Sequence, residues 1–180
     1  MLYTSKQVIE IYGSWYQIRK AVKEKKLFVV SHNIYSDRLP IRDEALISKE
    51  HPGAIFTLNS AFFLYDLTDV IPDSFFVATP VGYTYLKEKD IQQGFQKKEV
   101  FALGDSTMDS PNGVIRIYDR ERLLIELIRF QKRFSFDYYK EVIGNYRKNS
   151  PSLDPSKIAD YCSHFKYGKS ILIQIMKEVF

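Results

Sequence analysis

The sequence predicts an α+β protein in two parts: a small N-terminal segment of two short helices and a hairpin, then a mixed α/β region that ends in helices. Three observations carry this. Helical apolar spacing is broken at Gly13-Ser14, strand-like and helix-like runs alternate beyond residue 42, and the last third shows only helical spacing. The division is expected at Arg42, giving segments 1–42 and 43–180. Hydrophobic residues at 45% with 27% charged residues fit a folded chain with a real core, and exclude a disordered or low-complexity one.

Thr4 or Ser5 caps a first helix running to about residue 12, with Val8, Ile9 and Ile11 or Tyr12 as its apolar stripe. Gly13 stops it. Ser14 is placed as the N-cap of a second helix, about 15 to 25, in which Trp15, Ile18 and Val22 recur at helical spacing and Tyr16, Gln17, Lys20, Lys23 and Glu24 fall on the other face. Two strands follow, 27–30 and 34–36, joined at His32-Asn33, where Asn tolerates the left-handed backbone of a tight hairpin. Beyond Arg42, "IRDEALISKEH" reads as a helix and "GAIFT" as a strand. "LNSAFFLYDL" reads as a helix capped by Asn59, and "SFFVATP", "KKEVFALG" and "GVIRIYD" as strands. Asp119 caps a helix over about 120–133 with Leu123, Leu124, Leu127 and Ile128 inward. Helices in "FDYYKEVIGNYRKN", "DPSKIADYCSHF" and "KSILIQIMKEVF" close the chain, the second capped by Asp154 with Pro155 at its first position.

Charge is uneven. Residues 1–42 hold eight Lys/Arg against three Asp/Glu, a net of +5, while the remaining 138 residues hold 18 against 19, a net of −1. A helix, a Gly-containing turn, a second helix with a basic face and a small hairpin follow in the order of a winged helix-turn-helix, and the positive excess at that end calls for an anionic partner. A second basic-aromatic stretch, "RFQKRFSFDYYK" with "NYRKN", reads as core and interface rather than as a base-stacking platform.

Catalytic patterns are missing. There is no GxGxxG, Walker loop or GxSxG. Cys162 and His164 lie two apart on a helix and so face different ways, and Asp73 with Glu88-Lys89-Asp90 matches no acidic-x-lysine metal pattern. No metal, no cofactor and no enzymatic activity are expected. The single cysteine forms no internal disulfide, and "MLYTSKQ" has neither the basic nor the apolar part of a secretory leader. The expectation is a cytoplasmic protein with no membrane partner.

"GSWYQIRKAVKEKKLFVVSHNIYS" resembles the winged helix-turn-helix that opens the AbiEi-type antitoxins of type IV toxin-antitoxin (abortive infection) systems. "PGAIFTLNSAFFLYDL" resembles that family's Pro-x-Ala and Ser-Ala-Leu-x-Leu-His-Gly-Leu segment, and "GVIRIYDRERLLIELIRF" is similar to its strand followed by a Glu-Arg-Thr-Leu helix. The likeness runs in order through most of residues 4–133. Family members begin with one more helix, so the resemblance implies a truncated winged helix-turn-helix packed on a mixed α/β domain. It also implies the function: an antitoxin that counteracts a nucleotidyltransferase-like AbiEii toxin and represses its own operon by binding double-stranded DNA at inverted repeats in its promoter. On that reading Ser14 sits near phosphate, Tyr16, Gln17 and Lys20 face base edges, Arg19, Lys23 and Lys26 hold phosphates, and His32 stands on the wing. Two alternatives stay open: a protein-binding antitoxin without DNA binding, and a metal-dependent enzyme acting on nucleic acid or nucleotides.

Overall fold

The computed structural model describes residues 1–180. Strand β1 (Leu2–Thr4) leads into helices α1 (Ser5–Tyr12) and α2 (Trp15–Lys23), strands β2 (Phe28–Ser31) and β3 (Ile34–Ser36), and helix α3 (Asp43–Glu50). Strand β4 (Ile55–Phe56), helix α4 (Leu58–Leu64), strands β5 (Phe75–Pro80) and β6 (Ile91–Gln96), and helix α5 (Lys98–Phe101) come next. Strands β7 (Asp105–Ser110) and β8 (Gly113–Tyr118) precede helices α6 (Arg120–Arg129), α7 (Phe136–Lys148), α8 (Pro155–Ser163) and α9 (Gly168–Glu178). The protein is α+β, and no helix is long and apolar enough to cross a membrane. It divides into two compact units, Met1–Pro52 with Thr107–Arg116, and Gly53–Ser106 with Ile117–Phe180. Helix α3, which the sequence reading placed in the second part, packs on β1 in the first unit.

In the first unit β1, β3 and β2 form an antiparallel sheet in that order, with Leu2 opposite Ser36 on one side of β3 and Phe28 opposite Ser36 on the other. Thr4 and Gln7 form a reciprocal cap on α1: the Gln7 N–H donates to Thr4 Oγ1, and the Thr4 N–H donates to Gln7 Oε1 at 2.9 Å. Gly13 ends α1 with a φ of 76°, a left-handed conformation open to glycine without strain, and its N–H donates to the Ile9 carbonyl at 2.8 Å. Ser14, in extended backbone, accepts from the Gln17 N–H and starts α2. Val8, Ile18, Ala21 and Leu27 make the core, with Tyr3, Ile9, Tyr12, Val22 and Tyr35 around it. Trp15 was expected inward but is 47% exposed, because the buried stripe of α2 begins one turn later, at Ile18, and is completed by Ala21. Residues 107–116 are tied into this unit by Asn112, which is 2% exposed. Its Oδ1 accepts from the Arg42 N–H at 2.8 Å, its Nδ2 donates to the Pro40 carbonyl at 3.2 Å, and its own carbonyl accepts from the Leu2 N–H at 3.1 Å.

The larger, five-stranded sheet has the order β6-β5-β4-β8-β7. Strand β6 runs parallel to β5, β5 antiparallel to β4, and β4 parallel to β8. Helix α6 differs from its expected one-sided face, since every residue from Glu121 to Ile128 is buried. Its buried Arg122 and Glu126 pair with each other. Arg122, wholly buried, donates from Nε to Glu126 Oε1 at 2.9 Å and from Nη1 to the Val100 carbonyl at 2.7 Å, with its guanidinium against the rings of Tyr118 and Phe165. Arg129 shares Glu126 Oε1 at 2.9 Å. Asp119 caps α6 through the Arg122 N–H at 2.8 Å, and its second oxygen takes the Tyr161 hydroxyl at 3.0 Å and Lys157 Nζ at 2.9 Å.

Three local expectations are corrected. "KKEVFALG" is a helical turn, because the N–H groups of Val100 and Phe101 both reach back to the Lys97 carbonyl instead of across to a strand. Thr57, not Asn59, holds the N-cap position of α4, since the extended backbone of β4 continues through it. Strands β1, β6 and β7 were not foreseen.

Candidate nucleic-acid interface

At 100° per residue, the burial of Ile18 and Ala21 with Val22 beside them turns Tyr16, Lys20 and Lys23 to the opposite side of α2 as one line, with Arg19 on one flank and Gln17 and Glu24 on the other. All of these side chains are exposed, Tyr16 by 74%. Ser14 also lies at the surface, but its hydroxyl is engaged as the cap. Just past the helix, Lys25 adopts a φ of 55°, and the N–H groups of Lys26 and Leu27 both turn back to the Ala21 carbonyl. The helix therefore ends in a tight exposed corner carrying two more ammonium groups.

Glu24 is the one acid between Arg19 and Lys26. Its carboxylate lies 2.8 Å from Lys26 Nζ and 4.0 Å from Lys20 Nζ. The hydrogen bond and charge of Lys26 hold its carboxyl below the usual range, and the same contact raises the Lys26 ammonium. Arg19, Lys23 and Lys25 make no ion pair. Lys25 was counted in the charge excess but not named as a contact residue; the "KEKK" run was the signal that could have found it.

His32 is exposed on the β2–β3 turn, apart from α2. Asn33, at φ 63°, forms the corner of that turn. Its carbonyl accepts from the Ser5 N–H at 2.9 Å and its Oδ1 accepts from Ser5 Oγ at 3.1 Å, so the hairpin tip is pinned to the first turn of α1. The predicted residues thus fall into one coherent face on α2 and one separate position on the hairpin.

No three His, Cys, Asp or Glu side chains come together as a metal-holding group. Burial pushes the Cys162 thiol up to about 11, which leaves it a neutral packing group at ordinary pH. The second basic-aromatic stretch gives α7, whose core side is Val142, Ile143 and Tyr146, while Phe136 stays 73% exposed beneath Lys140.

The fold and surface define a two-unit α+β protein with an exposed basic helix beside a pinned hairpin. No protein-family model matches the chain, and no curated protein matches it. Among solved structures, the crystal structure of RV2827C protein from Mycobacterium tuberculosis is similar, with a TM-score of 0.62 over 99% of this chain and 72% of that one, at 10% sequence identity. At that identity the likeness shows a shared fold and nothing further.

Proposed function

We propose that the protein is an AbiEi-type antitoxin that represses its own operon by binding promoter DNA through α2, and counteracts a nucleotidyltransferase-like AbiEii toxin. One observation carries the DNA part: Tyr16, Lys20 and Lys23 stand in a single exposed line on a helix whose start is set by Gly13 and Ser14, next to a three-stranded sheet of order β1-β3-β2. A helix so exposed on one side fits a major groove, with ammonium groups placed for phosphates and Tyr16 and Gln17 for base edges. Asn33 and Ser5 support the hairpin as a wing by fixing its tip. The antitoxin part rests on the sequence resemblance.

The experiment is a pair of assays. Purified protein is titrated onto its upstream DNA and onto random DNA of equal length, and the gene is co-expressed with a nucleotidyltransferase toxin encoded beside it. Specific binding at low salt and rescue of growth are expected. Affinity no better than for random DNA overturns the repressor role, and absent rescue overturns the antitoxin role.

A second reading, a protein-binding antitoxin without DNA binding, is favoured by one feature. Ile11, Trp15 and Tyr16 are 60%, 47% and 74% exposed around the α1–α2 turn, an apolar cluster suited to a protein surface. Rescue without promoter binding selects it.

A further inference from the structure

A cavity of about 330 Å³ in the second unit lies over one face of the β5–β6 pair. The parallel register sets Phe76 beside Gln92, Ala78 beside Gly94 and Pro80 beside Gln96, all on the same face. Ala78 and Gly94 leave the middle of that face hollow, while the amides of Gln92 and Gln96 flank it with no side-chain partner. The far wall comes from the end of α6 and the turn after it: Glu126, Phe130, Arg133 and Phe134. Phe134 is held by stacking on Tyr138 at 5.5 Å and by an edge contact with Phe62 at 6.0 Å, so its ring is a fixed wall. Arg133 is exposed, lies 4.5 Å from the Phe130 ring centre and makes no ion pair.

Glu126 closes the floor of that wall, its Oε1 taking the bonds from Arg122 and Arg129 while Oε2 is buried out of reach of the cavity. The groups open to an occupant are therefore the phenylalanine faces, the two glutamine amides and the Arg133 guanidinium. An occupant that matches them has a flat apolar face for the phenylalanines, an edge with both donors and acceptors for the two amides, and an anionic part for Arg133. The volume is at the lower end of small-molecule sites, roughly 300–1,000 Å³.

We propose that this cavity binds a nucleotide, through its base inside and its phosphate at Arg133. The nucleotide is either free or part of a single-stranded RNA. This is a second site, separate from the basic face of α2.

The test uses the full-length protein and calorimetric titration with AMP, GMP, CMP and UMP, the matching nucleosides, and short single-stranded RNAs of each base. Saturable binding of at least one nucleotide is expected. Gly94→Ile fills the hollow. A Cβ there meets only the Val77 carbonyl oxygen at 3.8 Å and β6 is an edge strand that favours Ile, so the variant should melt like the wild type while binding falls about tenfold or more. Gln92→Ala, an exposed change, is the second variant and should also weaken binding. Arg133→Ala should weaken the nucleotide about fivefold or more and leave the nucleoside unchanged. An RNA bound more than about tenfold tighter than its mononucleotide identifies the strand as the source, and equal affinity identifies the free nucleotide. Promoter binding should be untouched by Gly94→Ile, so the two sites fail or succeed separately. No saturable binding up to millimolar concentration, or binding unchanged in both Gly94→Ile and Gln92→Ala, overturns the proposal.

Discussion

Glu24 gives the sharpest handle on the basic face, because it is an acid embedded in it and paired with two of its members. Each phosphate contact adds about 0.9 to the slope of log affinity against log salt for duplex DNA. Removing Lys20 and Lys23 together should therefore flatten that slope by about 1.8. Between about 50 and 200 mM salt one contact changes affinity roughly 3.5-fold, so the double alanine variant should lose about twelvefold of the wild type's salt sensitivity. Glu24→Gln acts in the opposite direction. It keeps the shape and frees Lys26 and Lys20 for phosphate, so the slope should steepen by roughly 0.9 to 1.8 and binding at low salt should tighten. The pairs it breaks are exposed to solvent and screened by it, so folding should hardly change. Fluorescence anisotropy of a labelled promoter fragment across a salt series reads all three proteins. If the slopes of the double variant and of Glu24→Gln both match the wild type, this face of α2 does not contact phosphate, whatever else binds DNA.

Three further outcomes follow from local geometry. Asn33→Gly should melt with or slightly above the wild type, whereas Asn33→Val, a β-branched residue at φ 63°, should cost about 1–3 kcal/mol; equal melting temperatures for the two would remove the left-handed corner from the account. Asn112→Ala strands the Arg42 N–H and the Pro40 carbonyl and should cost about 1–3 kcal/mol in chemical denaturation; a wild-type midpoint would mean water replaces the amide without loss. For Cys162, burial favours the neutral thiol and raises its value from near 9 to about 11, so its stabilising share is full below about pH 9 and lost as pH rises through 11. The stability gap between wild type and Cys162→Ala should shrink over that window, with slow reaction towards thiol reagents at pH 8. A constant gap refutes the burial argument.

Residues 5–36 were legible because their backbone chemistry is local. Gly13 and Ser14 encode a stop and a start within two residues, and Asn33 marks its own corner, so α1, α2, β2 and β3 could be placed almost to the residue. Strands β6 ("IQQGFQ") and β7 ("DSTMDS") were illegible because they lie at the two edges of their sheet, where only a weak apolar alternation is required and polar residues satisfy the pattern. The inward face of α6 was foreseen, but its burial on all sides was not. Arg122 and Glu126 read as surface residues until Val100, Tyr118 and Phe165 are brought to them by distant parts of the chain. Of the candidate site, the α2 line follows from helical spacing alone. The brake exerted by Glu24 on Lys26 depends on the left-handed turn at Lys25, which the letters "KEKK" do not announce.

Asn112 has a consequence for how this chain is made. Its amide and carbonyl close three hydrogen bonds to residues near the start of the chain, and it is some seventy positions downstream of two of them. On the ribosome, Leu2, Pro40 and Arg42 are made long before their partner exists, so these backbone groups have only water to bond until residue 112 follows, by which point four of the five strands of the larger sheet have been synthesised. The same dependence limits inheritance by recombination: a single crossover after residue 52 would deliver the helices and hairpin without the turn that completes them, and only an exchange that also carries residues 107–116 would move the unit whole.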